Sequence, residues 1–392
     1  MTRDILSRTA GEEDRPPPWL WPRAAYVHVP FCAHHCGYCD FAVAVGQDDQ
    51  IELYLDALSA ELATLGSPQQ VRTLFLGGGT PTHLGPAQLE RLLGAVLRWL
   101  PPQEGHEFSV EANPDTLDAE RVAVLADHGV TRVSVGAQSF HPHLLRALDR
   151  RHAPGEVQTA VERVRRRVGQ VSLDLIFGVP GQTLAEWRAD LERAQALAPD
   201  HVSTYGLTYE KGTALWKQRQ RGGVRPLGEE EELALYAAAI DTLESAGFEH
   251  YEISSFARPE RRCRHNETYW ANEAYFGFGM GAARYVNVRR ELNTRDLHAY
   301  VRRALAGEPT AFQSEELPPE ERARETMALG LRRAEGIDRA AFQAQTGYGL
   351  DAVAGDALPP LVEQGLLEDG GARVCLTRRG KYVADAVIER LL

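Results

Sequence analysis

The stretch YVHVPFCAHHCGYCDF, which runs from Tyr26 to Phe41, holds three of the five cysteines in this 392-residue chain. Cys32, Cys36 and Cys39 have the spacing C-x3-C-x2-C and follow an apolar run that is typical of a buried strand. Three thiolates on one short loop are soft ligands, so they favour an iron–sulfur cluster or another soft metal. A four-iron cluster with three cysteine ligands has one iron that is open to an exchangeable small molecule.

The spacing leaves two alternatives open. Zinc is the first, because His28, His34 and His35 stand close to the cysteines in the sequence and could supply a fourth ligand. The second is that the three cysteines are unconnected buried thiols that bind nothing. The spacing favours the cluster over both, without excluding zinc.

Six strand-like runs, each followed by a helical pattern, predict the fold around this stretch. The runs are residues 24–29, 71–76, 107–111, 132–137, 171–177 and 201–207. Over residues 51–65, apolar side chains recur at 4-3-4-3 spacing, which indicates one buried face of a helix. Strands that alternate with helices form parallel sheets. Six units, where eight would close a barrel, predict an α/β fold with an open three-quarter (β/α)6 parallel barrel.

Composition divides the chain into four predicted parts. Residues 1–23 are charged and then proline-rich, which predicts a flexible leader. The barrel is predicted over residues 24–245, and the segment 246–309, rich in glycine and aromatic residues, is predicted to extend it. Residues 310–392 show helices followed by two short strands, a pattern like that of a winged-helix domain. Acidic residues outnumber basic ones in this last part, which argues against DNA binding.

The overall charge limits the class of partner. The formal net charge is −12, which argues against a broad nucleic-acid surface. Apolar runs are too short to span a membrane, although a peripheral contact with one is compatible with the sequence. An odd number of cysteines with three clustered is not the pattern of a disulfide framework. We therefore expect a cytoplasmic protein.

Unusual residues follow the predicted strands at their carboxyl ends. The cysteines follow the first strand, GGGTPT (Gly77–Thr82) follows the second, and Glu111 ends the third. Gln138 follows the fourth strand and Asp174 lies within the fifth. Parallel α/β barrels build their sites at this end. Consecutive glycines let a ligand approach the backbone, and a carboxylate there could hold a ribose hydroxyl or an amino group.

Together, these residues resemble the radical S-adenosylmethionine proteins, in which the cofactor's amino and carboxylate groups chelate the open iron. The motifs YVHVPFC, LGGGTPT, VEANP, SVGAQSF, DLIFGVPGQT and YEISSFA resemble those of oxygen-independent coproporphyrinogen III oxidases and their relatives, from about residue 24 onward. The resemblance implies a [4Fe-4S] cluster on the three cysteines and S-adenosylmethionine as cofactor. The implied cofactor contacts are Tyr26, Tyr38, Gly78, Gly79, Thr80, Glu111, Gln138, Arg150, Asp174, Gly206 and Ala283.

Two departures separate this chain from the oxidases. Where their cluster loop continues to a fourth cysteine, this chain has Phe41, and residues 1–23 do not match their long N-terminal segment. In contrast, RHNETYW (Arg264–Trp270) is similar to the H-N-x-x-Y-W motif of HemW-type haem chaperones. That resemblance implies haem as a ligand, with His265 as the candidate axial ligand, and an unknown acceptor protein. From the residues alone, a turn whose aromatic side chains pack on the barrel is the simpler interpretation.

The sequence thus predicts a haem chaperone on a radical S-adenosylmethionine scaffold, and it assigns no catalytic residue. Two enzymatic alternatives remain. One is an oxidase that decarboxylates coproporphyrinogen III, and the other is a radical enzyme that acts on another substrate. The oxidase requires a pocket for the porphyrinogen beside the cofactor, whereas a chaperone does not.

Overall fold

The computed structural model describes residues 17–392. Most of the predicted leader, residues 1–16, lies outside the described residues. In the described part of the leader, residues 17–23, a 3-10 helix (Pro18–Leu20) lies against the barrel. The Trp19 carbonyl there accepts a hydrogen bond of 2.7 Å from the Ala274 amide.

The described residues form one large sheet, two small ones and a set of surrounding helices. The strands are β1 (Ala24–Val29), β2 (Phe31–Cys32), β3 (Ala44–Val45), β4 (Val71–Gly78), β5 (Pro102–Ala112), β6 (Arg132–Gln138), β7 (Gln170–Phe177), β8 (His201–Gly206), β9 (Glu249–His250), β10 (Ser255–Ala257), β11 (Tyr275–Phe278), β12 (Ala283–Val286), β13 (Arg289–Asn293), β14 (Ala311–Glu315), β15 (Ile337–Asp338), β16 (Leu367–Asp369) and β17 (Arg373–Leu376). The helices are α1 (Ile51–Ala63), α2 (Pro86–Trp99), α3 (Ala119–Asp127), α4 (Pro142–Ala147), α5 (Pro154–Arg167), α6 (Leu184–Ala196), α7 (Ala214–Gln220), α8 (Glu229–Ser245), α9 (Arg264–Trp270), α10 (Leu297–Leu305), α11 (Pro319–Gly330), α12 (Arg339–Thr346), α13 (Leu350–Ala354), α14 (Leu358–Glu363), α15 (Arg378–Lys381) and α16 (Ala384–Glu389).

The large sheet confirms the predicted open barrel. Its order is β14-β13-β12-β11-β1-β4-β5-β6-β7-β8-β10-β9, and its two outermost strands, β14 and β9, do not pair with each other. The six predicted strands occupy consecutive positions from β1 to β8, and each pairs in parallel with the next. The sequence did not predict that β11 adds a further parallel strand beside β1.

Residues along the central strands alternate between an apolar outer face and a polar interior. On β4, Leu74 and Leu76 are fully buried in the main hydrophobic core with the helices. Thr73, the residue before Leu74, points to the opposite, interior face, where its hydroxyl contacts His265. Because side chains alternate with a period of two, each central strand presents one row of side chains to the interior, and most of these are polar, although Phe75 on β4 is an exception. These rows hold the candidate functional residues.

The C-terminal part has a hydrophobic core of its own, built from residues such as Met327, Phe342 and Leu361. Helix α11, strand β15, helices α12 to α14 and strands β16 and β17 follow one another, and the strands pair in the order β15-β17-β16. This is the predicted winged-helix-like order. Strand β14, which lies within the predicted C-terminal part, residues 310–392, pairs with β13 of the large sheet. That strand was missed because it is an edge strand with mostly exposed side chains and no apolar alternation. Among the described residues, none of the helices has the length and apolar character that crossing a membrane requires.

Candidate functional site

The cluster loop, defined as residues 31–41, is anchored to the end of helix α4 and to the start of helix α7. The Gly37 amide donates to the Leu148 carbonyl at 3.3 Å, and the Gly37 carbonyl accepts from the Leu215 amide at 2.8 Å. A Cβ atom at residue 37 would lie 3.0 Å from Oδ2 of Asp149, so glycine suits this close approach. The loop is therefore held in place by contacts outside the cysteines themselves.

The three cysteines have the donor chemistry of a cluster site. All three thiols are free and partly buried. Burial raises the pKa of both Cys32 and Cys39 to about 11. Thiolates at these positions therefore need a compensating positive charge, which iron supplies. Within residues 17–392, no three histidine, cysteine, aspartate or glutamate side chains are placed to hold a single metal ion.

The three histidines that could complete a zinc site each have another partner. Nε2 of His28 donates to the Ala42 carbonyl at 2.7 Å, and Nδ1 accepts from the Tyr26 hydroxyl at 3.0 Å. Burial lowers the pKa of His28 to about 4, which keeps the ring neutral. His34 contacts the Arg151 guanidinium at 3.1 Å, and His35 contacts the carbonyl of Cys39 at 2.9 Å. The donor set thus fits the cluster better than zinc.

The glycines of the GGGTPT segment allow the backbone to pass close to three neighbours. A Cβ atom at Gly77 would lie 2.7 Å from a Glu111 oxygen, and one at Gly79 would lie 2.5 Å from the carbonyl oxygen of Pro30. Gly78 has φ of +109° and would meet the His28 ring at 2.4 Å. Side chains at these positions would displace the cluster loop or fill the interior. Gly77–Gly79 therefore form a closely packed backbone segment at the carboxyl edge, which we call the glycine cradle.

Two carboxylates face the interior beside this cradle. Glu111 accepts a hydrogen bond of 3.0 Å from the Gly78 amide, and Asp174 accepts one of 2.8 Å from the Ser134 hydroxyl. Burial and the nearby Asp174 raise the pKa of Glu111 to about 7, and burial also raises the pKa of Asp174. A positively charged or hydroxyl-bearing ligand at this point would relieve that unfavourable charge.

Other predicted contacts surround the same edge. Tyr26 stacks on Phe75 at 6.2 Å between ring centroids, and Tyr38 packs against a small apolar cluster that includes Leu144 and Ile176. Gln138 ends β6 in a left-handed conformation, with φ of +61°.

The last two predicted contacts are more peripheral. Gly206 is exposed at the end of β8, whereas Ala283 begins β12, two strands away from β1. The parallel topology brings most of the predicted residues together, with Ala283 at the margin.

Asn113 is a site residue that the sequence analysis did not single out, although it lies in the quoted VEANP motif. Its Nδ2 donates to the Thr80 hydroxyl at 3.0 Å, and its Oδ1 accepts from Nη2 of Arg150 at 2.7 Å. Thr80 and Arg150 in turn reach the sulfurs of Cys32 and Cys36, at 3.5 and 3.6 Å. One asparagine therefore connects two cysteines through their polar neighbours.

The HNETYW motif forms helix α9 and lies at the opposite, amino-terminal end of the barrel. His265 is 1% exposed, its Nδ1 lies 3.0 Å from the Thr73 hydroxyl, and its Nε2 lies 2.7 Å from the Tyr269 hydroxyl. Burial lowers the pKa of His265 to about 3. Both ring nitrogens have protein partners, so this structure does not present His265 as an open axial ligand. Its partner Thr73 is 192 residues away in the chain, which no local pattern could reveal.

The start of helix α9 is fixed by Glu107. The Glu107 carboxylate accepts hydrogen bonds from the amides of Arg264 and His265, at 3.0 and 3.1 Å. It also lies 3.3 Å from the Arg132 guanidinium and accepts a bond from the Cys263 thiol. Burial raises the pKa of Cys263, which identifies it as a neutral, structural thiol.

A cavity of about 440 Å³ lies between helix α9 and the C-terminal domain. Trp270, Phe342, Arg333 and Arg373 are among the residues that line it. The indole Nε1 of Trp270 is buried and has no hydrogen-bond partner within the described part of the chain. The sequence could not reveal this cavity, because its walls come from two domains.

Comparison with known proteins agrees with this architecture. A family model of the Radical SAM superfamily matches residues 26–194, and one of the HemN C-terminal domain matches residues 317–383. The solved structure of coproporphyrinogen III oxidase (HemN) from Escherichia coli superposes with a TM-score of 0.84 and 22% identity, over 95% of this chain and 90% of that one. At this identity the superposition shows a shared fold.

Curated relatives match over nearly their full length. The protein named Heme chaperone HemW in Bacillus subtilis is 38% identical over 94% of this chain and 99% of its own. The protein of the same name in Escherichia coli is 31% identical over 95% of this chain and 99% of its own. With a radical SAM segment over the barrel and end-to-end similarity to these relatives, the chain belongs to the HemW family.

Proposed function

We propose that this protein is a haem chaperone that binds a [4Fe-4S] cluster, S-adenosylmethionine and haem, and transfers haem to an acceptor protein in the cytoplasm. The observation that carries the proposal is the end-to-end similarity to heme chaperones, at 31–38% identity for the two relatives described. The site geometry supports each part of the proposal to a different extent.

The cluster is the best-supported part. Cys32, Cys36 and Cys39 would hold it, because the three soft donors share one anchored loop and the nearby histidines have other partners. When bound, the cluster supplies one-electron chemistry at an iron without a protein ligand. The Arg150 guanidinium, 3.6 Å from the Cys36 sulfur, adds positive charge beside the thiolates.

S-adenosylmethionine would lie along the carboxyl edge. The glycine cradle Gly77–Gly79 lets the backbone pass close to Glu111 and the cluster loop, and Glu111 and Asp174 supply acceptors for the cofactor's amino and hydroxyl groups. Tyr26, Tyr38, Thr80, Gln138, Arg150, Gly206 and Ala283 would make the other cofactor contacts that the family resemblance implies. These assignments are proposals for each residue.

For haem, the structure supports a binding site in the cavity beside helix α9 more than it supports His265 as the axial ligand. The cavity beside Trp270 has a size typical of small-molecule sites and is lined by both apolar and cationic groups. Arg333 and Arg373 could meet carboxylates of a porphyrin, although each is paired with an acidic residue here, Glu335 and Asp338 respectively. Ligation by His265 would require that its bonds to Thr73 and Tyr269 break.

The test is an anaerobic haem titration of the reconstituted protein, followed by the Soret band. Trp270→Ala should weaken haem binding about tenfold or more, while Trp99→Ala, on a helix far from the cavity, should not. If His265 becomes the axial ligand, His265→Ala should shift the Soret band and weaken binding roughly 10- to 100-fold. Native haem affinity in both the Trp270 and His265 variants would contradict a haem site at this motif.

The oxidase alternative is tested in the same preparation. Because Phe41 replaces the fourth cysteine of the oxidase loop and is 58% exposed here, we expect no conversion of coproporphyrinogen III. Chromatography of the porphyrins after incubation with cofactor and reductant decides this. Multiple turnover would place the protein among the enzymes.

A further inference from the structure

Five side chains form a continuous chain of polar contacts from one cluster cysteine to another. The Cys32 sulfur lies 3.5 Å from the Thr80 hydroxyl, and Asn113 joins that hydroxyl to Arg150. Nη1 of Arg150 lies 3.6 Å from the Cys36 sulfur, which completes the chain. Its members come from four separate loops, so no local sequence pattern describes it.

The hydrogen-bonding capacities fix the direction of the bonds that Asn113 makes with Arg150 and Thr80. A guanidinium only donates, so the Asn113 atom that faces Arg150 is its oxygen and the one that faces Thr80 is its NH2 group. The Thr80 oxygen therefore accepts from Asn113, and its own hydrogen is free to point at Cys32. Arg150 likewise can only donate to Cys36. A cluster-bound thiolate has no hydrogen to donate, so both sulfurs would act as acceptors when the cluster is bound.

The backbone holds this arrangement tightly. Nη2 of Arg150 also donates to the Gly136 carbonyl at 2.8 Å, and a Cβ atom at residue 136 would lie 3.2 Å from the same nitrogen. Thr80 is 3% exposed, and its amide donates to the Phe31 carbonyl at 2.9 Å. Cys39 does not depend on the chain, because the Phe41 amide hydrogen-bonds to it.

We propose that Asn113 is a positioning residue that aims the Thr80 hydroxyl and the Arg150 guanidinium at two cluster thiolates and thereby raises the cluster's reduction potential. The inference rests on the proposed cluster at Cys32, Cys36 and Cys39. One-electron reduction adds negative charge to the iron and its sulfur ligands, so hydrogen-bond donors to sulfur stabilise the reduced state more than the oxidised state. Loss of the donors therefore makes the cluster harder to reduce.

The experiment measures the midpoint potential of the anaerobically reconstituted protein by electron paramagnetic resonance during titration with dithionite, before S-adenosylmethionine is added. Iron and sulfide are measured first. Asn113→Leu should keep the cluster and shift its redox equilibrium toward the oxidised state about tenfold, or ~59 mV for one electron. Thr80→Val should shift the potential in the same direction. Thr80→Ser, which keeps the hydroxyl, should have the potential of the native protein.

A matched control lies two residues away. Thr82 is also buried, but its hydroxyl bonds to that of Thr116 at 2.6 Å and not to a sulfur. Thr82→Val should therefore leave the potential unchanged. If Asn113 acts through Thr80, the double variant Asn113→Leu with Thr80→Val should shift the potential by less than the sum of the single shifts.

The possible failures are distinguishable. A wild-type protein that holds no cluster would overturn the proposed function itself. A full cluster with unchanged potential in Asn113→Leu and Thr80→Val would overturn only the inference. If Asn113→Leu fails to hold a cluster, the comparison of Thr80→Val with Thr80→Ser decides the outcome. Valine matches threonine in shape and lacks only the hydroxyl.

Discussion

Replacement of Gly78 by alanine should destabilise the barrel, because the new methyl group has no room beside His28. The ideal Cβ position lies 2.4 Å from one ring carbon of His28 and 2.5 Å from Nδ1. The ring cannot easily turn away, since it is bonded to both the Tyr26 hydroxyl and the Ala42 carbonyl. The backbone conformation adds to the problem, because φ of +109° is unfavourable for any residue with a Cβ atom.

The expected magnitude combines two terms. Forcing a non-glycine residue into this region costs about 1–3 kcal/mol. Overpacking against the fixed ring costs about another 1–3 kcal/mol. The free energy of unfolding should therefore fall by roughly 2–6 kcal/mol, with the lower end applying if the strand shifts locally.

Urea unfolding of the cluster-free protein, followed by tryptophan fluorescence, measures this loss. All six tryptophans lie between residues 19 and 270, so the signal reports mainly on the barrel, and Trp270 alone among them lines the cavity beside the C-terminal domain. The matched control is Gly94→Ala within helix α2, where an added Cβ meets nothing within 4 Å. That change should stabilise the protein by about 0.5–1 kcal/mol. Equal unfolding midpoints for the two variants would refute the steric argument.

Three further outcomes are expected. Cys36→Ala should abolish the reconstituted cluster, by iron and sulfide content, whereas Cys263→Ala should retain it, because that thiol lies beside Glu107 at the other end of the barrel. Glu107→Gln should lower the free energy of unfolding by about 3–5 kcal/mol in urea titrations, since it leaves the buried Arg132 guanidinium without its charge partner. Glu111 has a folded pKa of about 7 against an ordinary value of 4.5, so its contribution to stability is full below pH 4.5 and is lost as the pH rises through 7. Between these pH values, the free energy of unfolding of the cluster-free protein should therefore fall less in Glu111→Gln than in the native protein. The difference between the two falls should be about 3 kcal/mol at most, measured by urea titrations at each pH.

The central strands and the site at their carboxyl ends were predictable from local patterns. Strand-like runs located six of the seven parallel strands of the large sheet, and parallel topology then placed the cysteines, the glycine segment and Glu111 at one edge. Strand β11 escaped prediction because it is four residues long and is interrupted by Gly277, whose missing side chain lets the Ala283 carbonyl approach.

The role of residues that act through distant partners was not predictable. Asn113 could be read only as part of a turn, since its partners Thr80 and Arg150 are 33 and 37 residues away. The resemblance made His265 the candidate axial ligand, yet tertiary packing buries it against Phe75 with ring centroids 5.2 Å apart. In both cases the deciding contact joins separate elements of the barrel.

The two candidate sites lie at opposite ends of the barrel, and this separation bears on what the protein can do with haem. Thr73, which contacts His265, and Gly78, which contacts Glu111, are five residues apart on β4. At about 3.3 Å per residue, their Cα atoms are roughly 16–17 Å apart. Bond-breaking at the carboxyl edge requires reacting atoms within about 3–3.5 Å, so a haem bound beside Trp270 would lie out of reach.

We therefore expect haem to leave the protein chemically unchanged after incubation with S-adenosylmethionine and reductant. Mass spectrometry of the extracted porphyrin checks this, with a cluster-free Cys36→Ala protein as the control for non-enzymatic damage. A mass change that depends on the cluster would mean that the porphyrin binds at the carboxyl edge, and it would favour an enzyme over a carrier. An unchanged mass, together with haem binding that depends on Trp270, is the result that the geometry of a carrier requires.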